Sequence, residues 1–315
     1  MKNTRSHAFG VECFALHEYL ARDAGSVPFA RPTGSSAPLT GVSGCTAKVA
    51  GHVGDSCPGT PELAGLQFAY TGMSHTDREG NHMIFRQLFD PESSTLTYLL
   101  AGGEGSAVII DPVLEHVEDY LSLLKSLKLT LRLVLDTHVH ADHITGSQAL
   151  KQRTGATTVI AQNCGATGYD RLLNDGDTLT FGSESLRVIA TPGHTPGSLC
   201  YLWRDRLFSG DTLMINACGR TDFQQGSATE MYHSITAKLF TLPDETLVYP
   251  AHDYKGRRVS SIGEEKVLNT RIAGKSEAEF VKIMDNLNLA TPKRIHEAVP
   301  ANLLGGISPS FDSAG

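Results

Sequence analysis

Apolar residues follow two regimes along this 315-residue chain, and the change falls near residue 82. From Met83 the pattern becomes regular. TLTYLLAG and AVIIDPV are short, nearly continuous apolar runs bounded by Gly, Asp and Pro, and they predict two successive strands. In EHVEDYLSLLKSLK, Val117, Tyr120, Leu121, Leu124 and Leu127 recur at helical spacing, which predicts an amphipathic helix. LRLVLDT then reads as a buried strand, and DHITGSQALKQRTG as a helix entered at Asp142. TTVIAQ, LRVIATPG, SLCYLW and RLFSGD predict further strands separated by turn residues. TEMYHSITAKLF predicts a helix, TLVYPAHD a strand and SEAEFVKIMDNL the final helix. Strand clusters with helices between them, but no strict β-α-β alternation, point to an α/β sheet sandwich carrying helices outside.

Residues 1–82 are different. Segments such as ARPTGSSAPLTGVSGCTAKVAGHVGDSCPGT are rich in Gly, Ser, Thr, Pro and Ala, and show neither period. They read as a poorly ordered extension ahead of one folded domain, 83–315. A transit peptide fits the small residues but not the charges, because Glu12, Glu18 and Asp23 nearly balance Lys2, Arg5, Arg22 and Arg31. The amino terminus also lacks the charged and apolar regions of a signal peptide.

Composition narrows the class. Hydrophobic residues make up 40% and charged residues 19%, enough for a sizeable core. A net charge of −7 gives no reason to expect nucleic acid or an anionic membrane as partner. No apolar run approaches the roughly 18–20 residues that span a bilayer. Six cysteines without a CxxC pair suit a reducing compartment. Cys200 fits a core strand, and Cys218 fits a structural loop.

The chemistry concentrates in THVHADH, residues 137–143, directly after an apolar strand. It places His138, His140, Asp142 and His143 within six residues, at a turn that can aim them at one point, as a divalent metal requires. Only 13 histidines occur in the whole chain, so chance does not account for that register. His194 sits in the rigid turn TPGHTPGS, Asp211 in FSGDT and His252 in YPAHDY, each after a strand. Singly, each could cap a helix or sit satisfied in a core. In this chain order they form a metal-site series.

HxHxDH followed by His, Asp and His resembles the metallo-β-lactamase superfamily, which implies an αββα sandwich with the metal at one edge of the sheets. FDPESSTLTYLL, THVHADHITGS, CGRTDFQQG, LPDETLVYPAHDY and AEFVKIMDNLNLATPKRIHEAVPAN resemble the persulfide dioxygenases within it. That resemblance covers residues 83–315. It implies one Fe(2+) per chain on His138, His194 and Asp211, a set that leaves iron positions open on one face for a persulfide sulfur and O2. It implies that His140, Asp142, His143 and His252 surround that iron, although the same residues would complete a second metal site in the superfamily's binuclear hydrolases. Arg220, Tyr254 and Arg271 fall on positions that bind glutathione, and Thr270 stands where the family often has Pro.

The implied reaction is oxidation of glutathione persulfide by O2 and water to sulfite and glutathione. It would take place in a bacterial cytoplasm or, in a eukaryote, the mitochondrial matrix, by a homodimer. Two rivals share the residues: a hydroxyacylglutathione hydrolase with two metals, and a non-catalytic metal-binding or sulfur-sensing module. The absence of a long helical carboxy-terminal domain argues against the first, and the intact ligand series against the second.

Overall fold

Thr95–Ala101 sends Leu96, Tyr98 and Leu100 to one face and Leu99 and Ala101 to the other, and both faces are buried. A strand covered on both sides has no polar alternation, which is why this run reads as continuously apolar. The computed structural model describes residues 82–308 and two short strands ahead of them, and it extends this logic to two sheets. The first contains β1 (Gln67–Ala69), β2 (His75–Thr76), β3 (His82–Asp90), β4 (Thr95–Ala101), β5 (Ser106–Ile110), β6 (Thr130–Leu135), β7 (Thr157–Ala161) and β8 (Arg171–Leu173). Its order is β1-β3-β4-β5-β6-β7-β8, with β2 also paired to β3. The second runs β14-β13-β12-β11-β10-β9, formed by β9 (Thr178–Phe181), β10 (Glu184–Ala190), β11 (Leu199–Trp203), β12 (Arg206–Gly210), β13 (Leu247–Pro250) and β14 (Ser260–Ser261).

Three apolar layers hold the sheets and helices together. Between the sheets, Phe85, Tyr98, Leu100 and Ile110 meet Tyr201, Trp203, Phe208 and Tyr249. The outer face of the first sheet packs Leu99, Ile109 and Val134 against Val117, Tyr120 and Leu124 of α1 (Val117–Ser126) and Leu150 of α2 (Ser147–Thr154). The outer face of the second sheet, with Cys200, Leu207 and Val248, is covered by Met231 of α3 (Ala228–His233), Ile262 of α4 (Ile262–Leu268) and Phe280 and Met284 of α5 (Glu277–Asp285). This is the αββα sandwich. At one edge the sheets are also hydrogen-bonded to each other, through Leu96 N to Ala251 O at 2.7 Å and Leu199 N to Thr137 O at 2.8 Å.

Several elements depart from the pattern-based reading. Regular structure starts ahead of Met83, since β1 and β2 pair with β3; the rest of residues 1–81 lies outside the described residues. The helix after the histidine motif begins at Ser147 and not at Asp142. Residues 142–146 stay in a loop because the Thr145 and Ser147 hydroxyls both donate to the Asp136 carboxylate, at 2.9 and 2.6 Å. The helix predicted in TEMYHSITAKLF is interrupted, passing from α3 through a π-helical turn at Ser234–Lys238 to a 3-10 turn at Leu239–Thr241. α5 is not the last helix: α6 (Ile295–Asn302) follows, with Pro300 inside it. That proline, which removes an amide donor, masks the helical pattern in the sequence.

Candidate metal centre

The centre is built on a loop that two buried carboxylates hold open. β6 delivers the chain to Asp136, fully buried, whose carboxyl accepts from Thr145, Ser147 and the Tyr169 hydroxyl at 2.9, 2.6 and 2.7 Å. Burial pushes this carboxyl above its ordinary range. Asp111, just past β5, adopts φ 52°, a left-handed conformation uncommon for a residue with a side chain. From there its carboxylate accepts from Thr137 N at 2.7 Å and Thr137 Oγ1 at 2.9 Å, and lies 3.1 Å from His140 Nε2. The Gln224 amide, in the GRTDFQQG motif, donates to Val139 O at 2.8 Å.

On this frame the predicted residues converge. The ligating atoms of His138, His194 and Asp211 lie within 4.8 Å of one another, and so do those of His140, Asp142 and His252. Asp211 faces both groups, with Oδ2 3.5 Å from His194 Nε2 and Oδ1 3.7 Å from His252 Nε2. His143 joins neither group. Its Nδ1 lies 3.2 Å from Asp142 Oδ2 and 3.3 Å from Thr95 Oγ1, and its Nε2 is buried without a partner.

Outer hydrogen bonds fix which ring nitrogens face inward. Thr137 already donates its hydroxyl to Asp111, so His138 Nδ1, 2.9 Å away, is the donor to Thr137 Oγ1. His194 Nδ1 donates to Arg220 O at 2.7 Å, and His252 Nδ1 to Ser94 O at 3.2 Å. In each ring Nε2 is left bare, the form that binds a metal. The Arg220 carbonyl can approach because Gly219 precedes it. A Cβ at Gly219 would sit 2.5 Å from Asp211 O and 2.9 Å from His194 Nδ1.

The electrostatics fit a cation. Burial, with His140 and His194 nearby, holds His138 well below the usual histidine range and therefore neutral. For His140, burial alone would lower the pKa, but the Asp111 carboxylate outweighs it and lifts it to about 9. Burial would likewise lower His252, and Asp211 and Asp142 raise it. Asp211 Oδ1 and His140 Nδ1 are buried and unpartnered. An unpaired buried polar atom is costly, and a divalent ion among these groups would satisfy Asp211 Oδ1 on its His252 side and His140 Nδ1 in the second group.

The three residues expected to hold glutathione are placed unequally. The Arg220 fork is engaged by Asp222 at 2.7 and 2.8 Å and by the carbonyls of Ala290 and Leu289 at 2.5 and 3.1 Å, and it stacks on Phe223. Arg271 donates to the Cys218 carbonyl. Both guanidiniums therefore brace the wall formed by residues 214–222. Thr270 adds a hydroxyl bond to Asn216 O at 3.1 Å, which the family's proline could not make. Tyr254 is 68% exposed and its ring stacks on that of His252, 5.8 Å between centroids. With Met214, Asn216, Ala217 and Lys255 it lines an open cleft beside His252. Cys200 and Cys218 are buried thiols, pushed by burial to about 12 and about 11.

Sequence reasoning missed Asp111, Asp136, Thr137, Gln224 and Asn302. An aspartate closing each apolar strand run, in VIIDP and VLDT, was the available signal for the first two. Nothing local marks Asn302, because its partners lie about 160 residues away.

A two-sheet sandwich flanked by helices, with histidines and carboxylates converging at its strand ends, defines a metal-dependent enzyme of the metallo-β-lactamase type. Residues 90–252 match the profile of the Metallo-beta-lactamase superfamily. The protein named Persulfide dioxygenase ETHE1, mitochondrial, from Homo sapiens is 47% identical over 246 residues, covering 77% of this chain and 96% of that protein. The chain belongs to the persulfide dioxygenase family of that superfamily. The crystal structure of ETHE1 from Myxococcus xanthus matches with a TM-score of 0.70 at 57% identity, covering 71% of this chain and 99% of that one. A hydroxyacylglutathione hydrolase from Rhizobium johnstonii aligns at 43% identity over only 125 residues, 38% of this chain and 48% of that protein.

Proposed function

We propose that this enzyme oxidises glutathione persulfide with O2 and water to sulfite and glutathione, using one ferrous ion held by His138, His194 and Asp211. The observation that carries the reading is the convergence of this two-histidine, one-carboxylate set in a chain 47% identical to a persulfide dioxygenase over nearly that protein's whole length. Bound there, iron would supply the redox chemistry between O2 and the outer sulfur of the persulfide.

The chain's own residues prepare the site for it. Thr137 and the Arg220 carbonyl take the outer N–H of His138 and His194, so both rings present a lone pair without rearrangement. The buried Asp211 carboxylate supplies the anionic partner. The cleft beside His252, with the exposed ring of Tyr254 at its mouth, offers the tripeptide a place with its sulfur directed inward. Arg220, whose fork is engaged by Asp222 and two carbonyls, acts by holding that wall, and Arg271, tied to it through one nitrogen on the Cys218 carbonyl, keeps its other donors for glutathione. No helix among the described residues is long and apolar enough to cross a membrane. The reading places the enzyme in a bacterial cytoplasm, or in the mitochondrial matrix of a eukaryote, as a homodimer.

The second three-residue group, His140, Asp142 and His252, favours an alternative with two metals and thioester hydrolysis. One sample decides between them. Oxygen uptake with glutathione persulfide, yielding sulfite in comparable molar amounts, supports the dioxygenase. Sulfite formed equally well without O2, or thioester cleavage alone, sinks it.

A further inference from the structure

We propose that Asn302, on the last helix, is a positioning residue of the metal centre: its side chain holds the backbone on both sides of Asp142 and so sets where the loop's side chains point. A loop that aims histidines and carboxylates inward cannot pair its own backbone as a helix or strand would, and buried backbone groups need partners. Three of them find theirs in one side chain. Asn302 Nδ2 donates to His140 O at 2.9 Å and to His143 O at 2.8 Å, while Oδ1 accepts from Thr145 N at 2.8 Å. A carboxamide offers two N–H donors and an acceptor on one rigid plane, and here all three functions are used. The residue is 1% exposed, so water does not substitute for it.

The helix that carries this amide is docked on the same loop. Ala298 and Ala301 pack against Ile144. Past the helix, Gly305 O accepts from Gln148 N and Leu303 O from Thr167 N, both at 2.9 Å. Tyr169 OH, which donates to Asp136 at 2.7 Å, lies 3.3 Å from the Asn302 carbonyl. One residue thus meets the loop from behind while Asp111 and Asp136 hold it from within. His140 and Asp142 stand nearest its grip, and His138 only two residues ahead of it.

The inference rests on the ferrous reading, but its test does not need persulfide turnover. Iron content and the rate of iron loss to a chelator are measured on holoprotein, with the electron paramagnetic resonance spectrum of its nitric oxide adduct. Asn302→Ala should release iron about 10–100-fold faster, with an altered spectrum. Asn302→Asp keeps the acceptor for Thr145 but sets a carboxylate against two carbonyls, and should release iron at least as fast. If the Ala variant does not fold, Asn302→Ser, which retains one donor, is read by the same criteria. Arg294→Ala removes the helix's surface ion pair with Glu115 but none of the three hydrogen bonds of Asn302, and should leave iron retention unchanged. The proposal is overturned if Asn302 variants melt lower but hold iron at the wild-type rate with the wild-type spectrum. It is equally overturned if Arg294→Ala loses iron as fast as they do. Should all of this hold while persulfide is not oxidised, the functional reading fails and the role of Asn302 stands.

Discussion

His194 gives its Nδ1 proton to the backbone carbonyl of Arg220 across 2.7 Å, so the GRTDFQQG loop orients the His194 ring through its main chain. The Arg220 side chain determines where that carbonyl sits, because its fork anchors the loop to Asp222 and to the Leu289–Ala290 backbone. Arg220→Ala should therefore lower iron retention and kcat together, and cost about 2 kcal/mol of stability through lost charge-assisted bonds. Lysine should not restore them, since it lacks the planar fork. A variant that changes only the KM for persulfide would restore the direct glutathione contact that the sequence suggested.

The two ligand groups should behave differently. Ala at His138, His194 or Asp211 is expected to abolish iron binding and turnover together. His140→Ala, Asp142→Ala and His252→Ala should keep measurable iron and lose roughly 10–100-fold in affinity or activity. Metal analysis of each variant settles the matter. Two metals per chain, one of them lost with His140→Ala or His252→Ala, would falsify the single-iron assignment and move the hydrolase reading ahead.

Deleting residues 1–82 removes β1 and β2 and bares one edge of β3. A truncated enzyme is expected to turn over normally but melt several degrees lower, because an unpaired edge loses its ladder bonds and invites association. Thermal melts of the full chain beside the truncated one provide the measurement, and identical midpoints would show that the two short strands contribute nothing.

How much of this was legible from sequence depended on how local each cause is. Strands such as β4, β5 and β12 could be read because burial on two faces writes an unbroken apolar run, whereas β3, with Arg86 and Gln87 inside it, and the short β8, β9 and β14 could not. The convergence of His138, His140 and Asp142 on two potential ligand groups could be read because a strand-to-loop turn compresses them into residues 138–142. Asp142 was misplaced at a helix start because its loop is held by hydroxyls on Thr145 and Ser147 that look like helix-initiating residues. The bonds that Arg220 and Arg271 make to the chain itself could not be read from sequence. A guanidinium bound to carbonyls and one awaiting a ligand have the same sequence, and only the fold brings Leu289, Ala290 and Cys218 to them.

A pH effect on stability should come from the turn between β3 and β4. Burial would raise the Asp90 carboxyl, but hydrogen bonds from His116, Ser93 and the Glu92 amide hold it well below the usual range. The same bond to Asp90, 3.2 Å long, raises His116. The His116 share is fully present below about pH 6.5 and fades as pH rises through its elevated folded value; the Asp90 share is present above about pH 4 and fades in acid. His116→Asn should thus lower the melting temperature more at pH 6 than at pH 9. An equal gap at both values counts against the pair.

Gly219 carries no functional group, yet the space its missing side chain leaves is bounded by the Asp211 carbonyl and the His194 ring. Any missense change at this codon would push a carbon atom against the Asp211 carbonyl and the His194 ring. In a survey of natural or selected variants, substitutions here should therefore fall into the same loss-of-activity class as those at His194 and Asp211, and a screen confined to chemically reactive side chains would overlook the position.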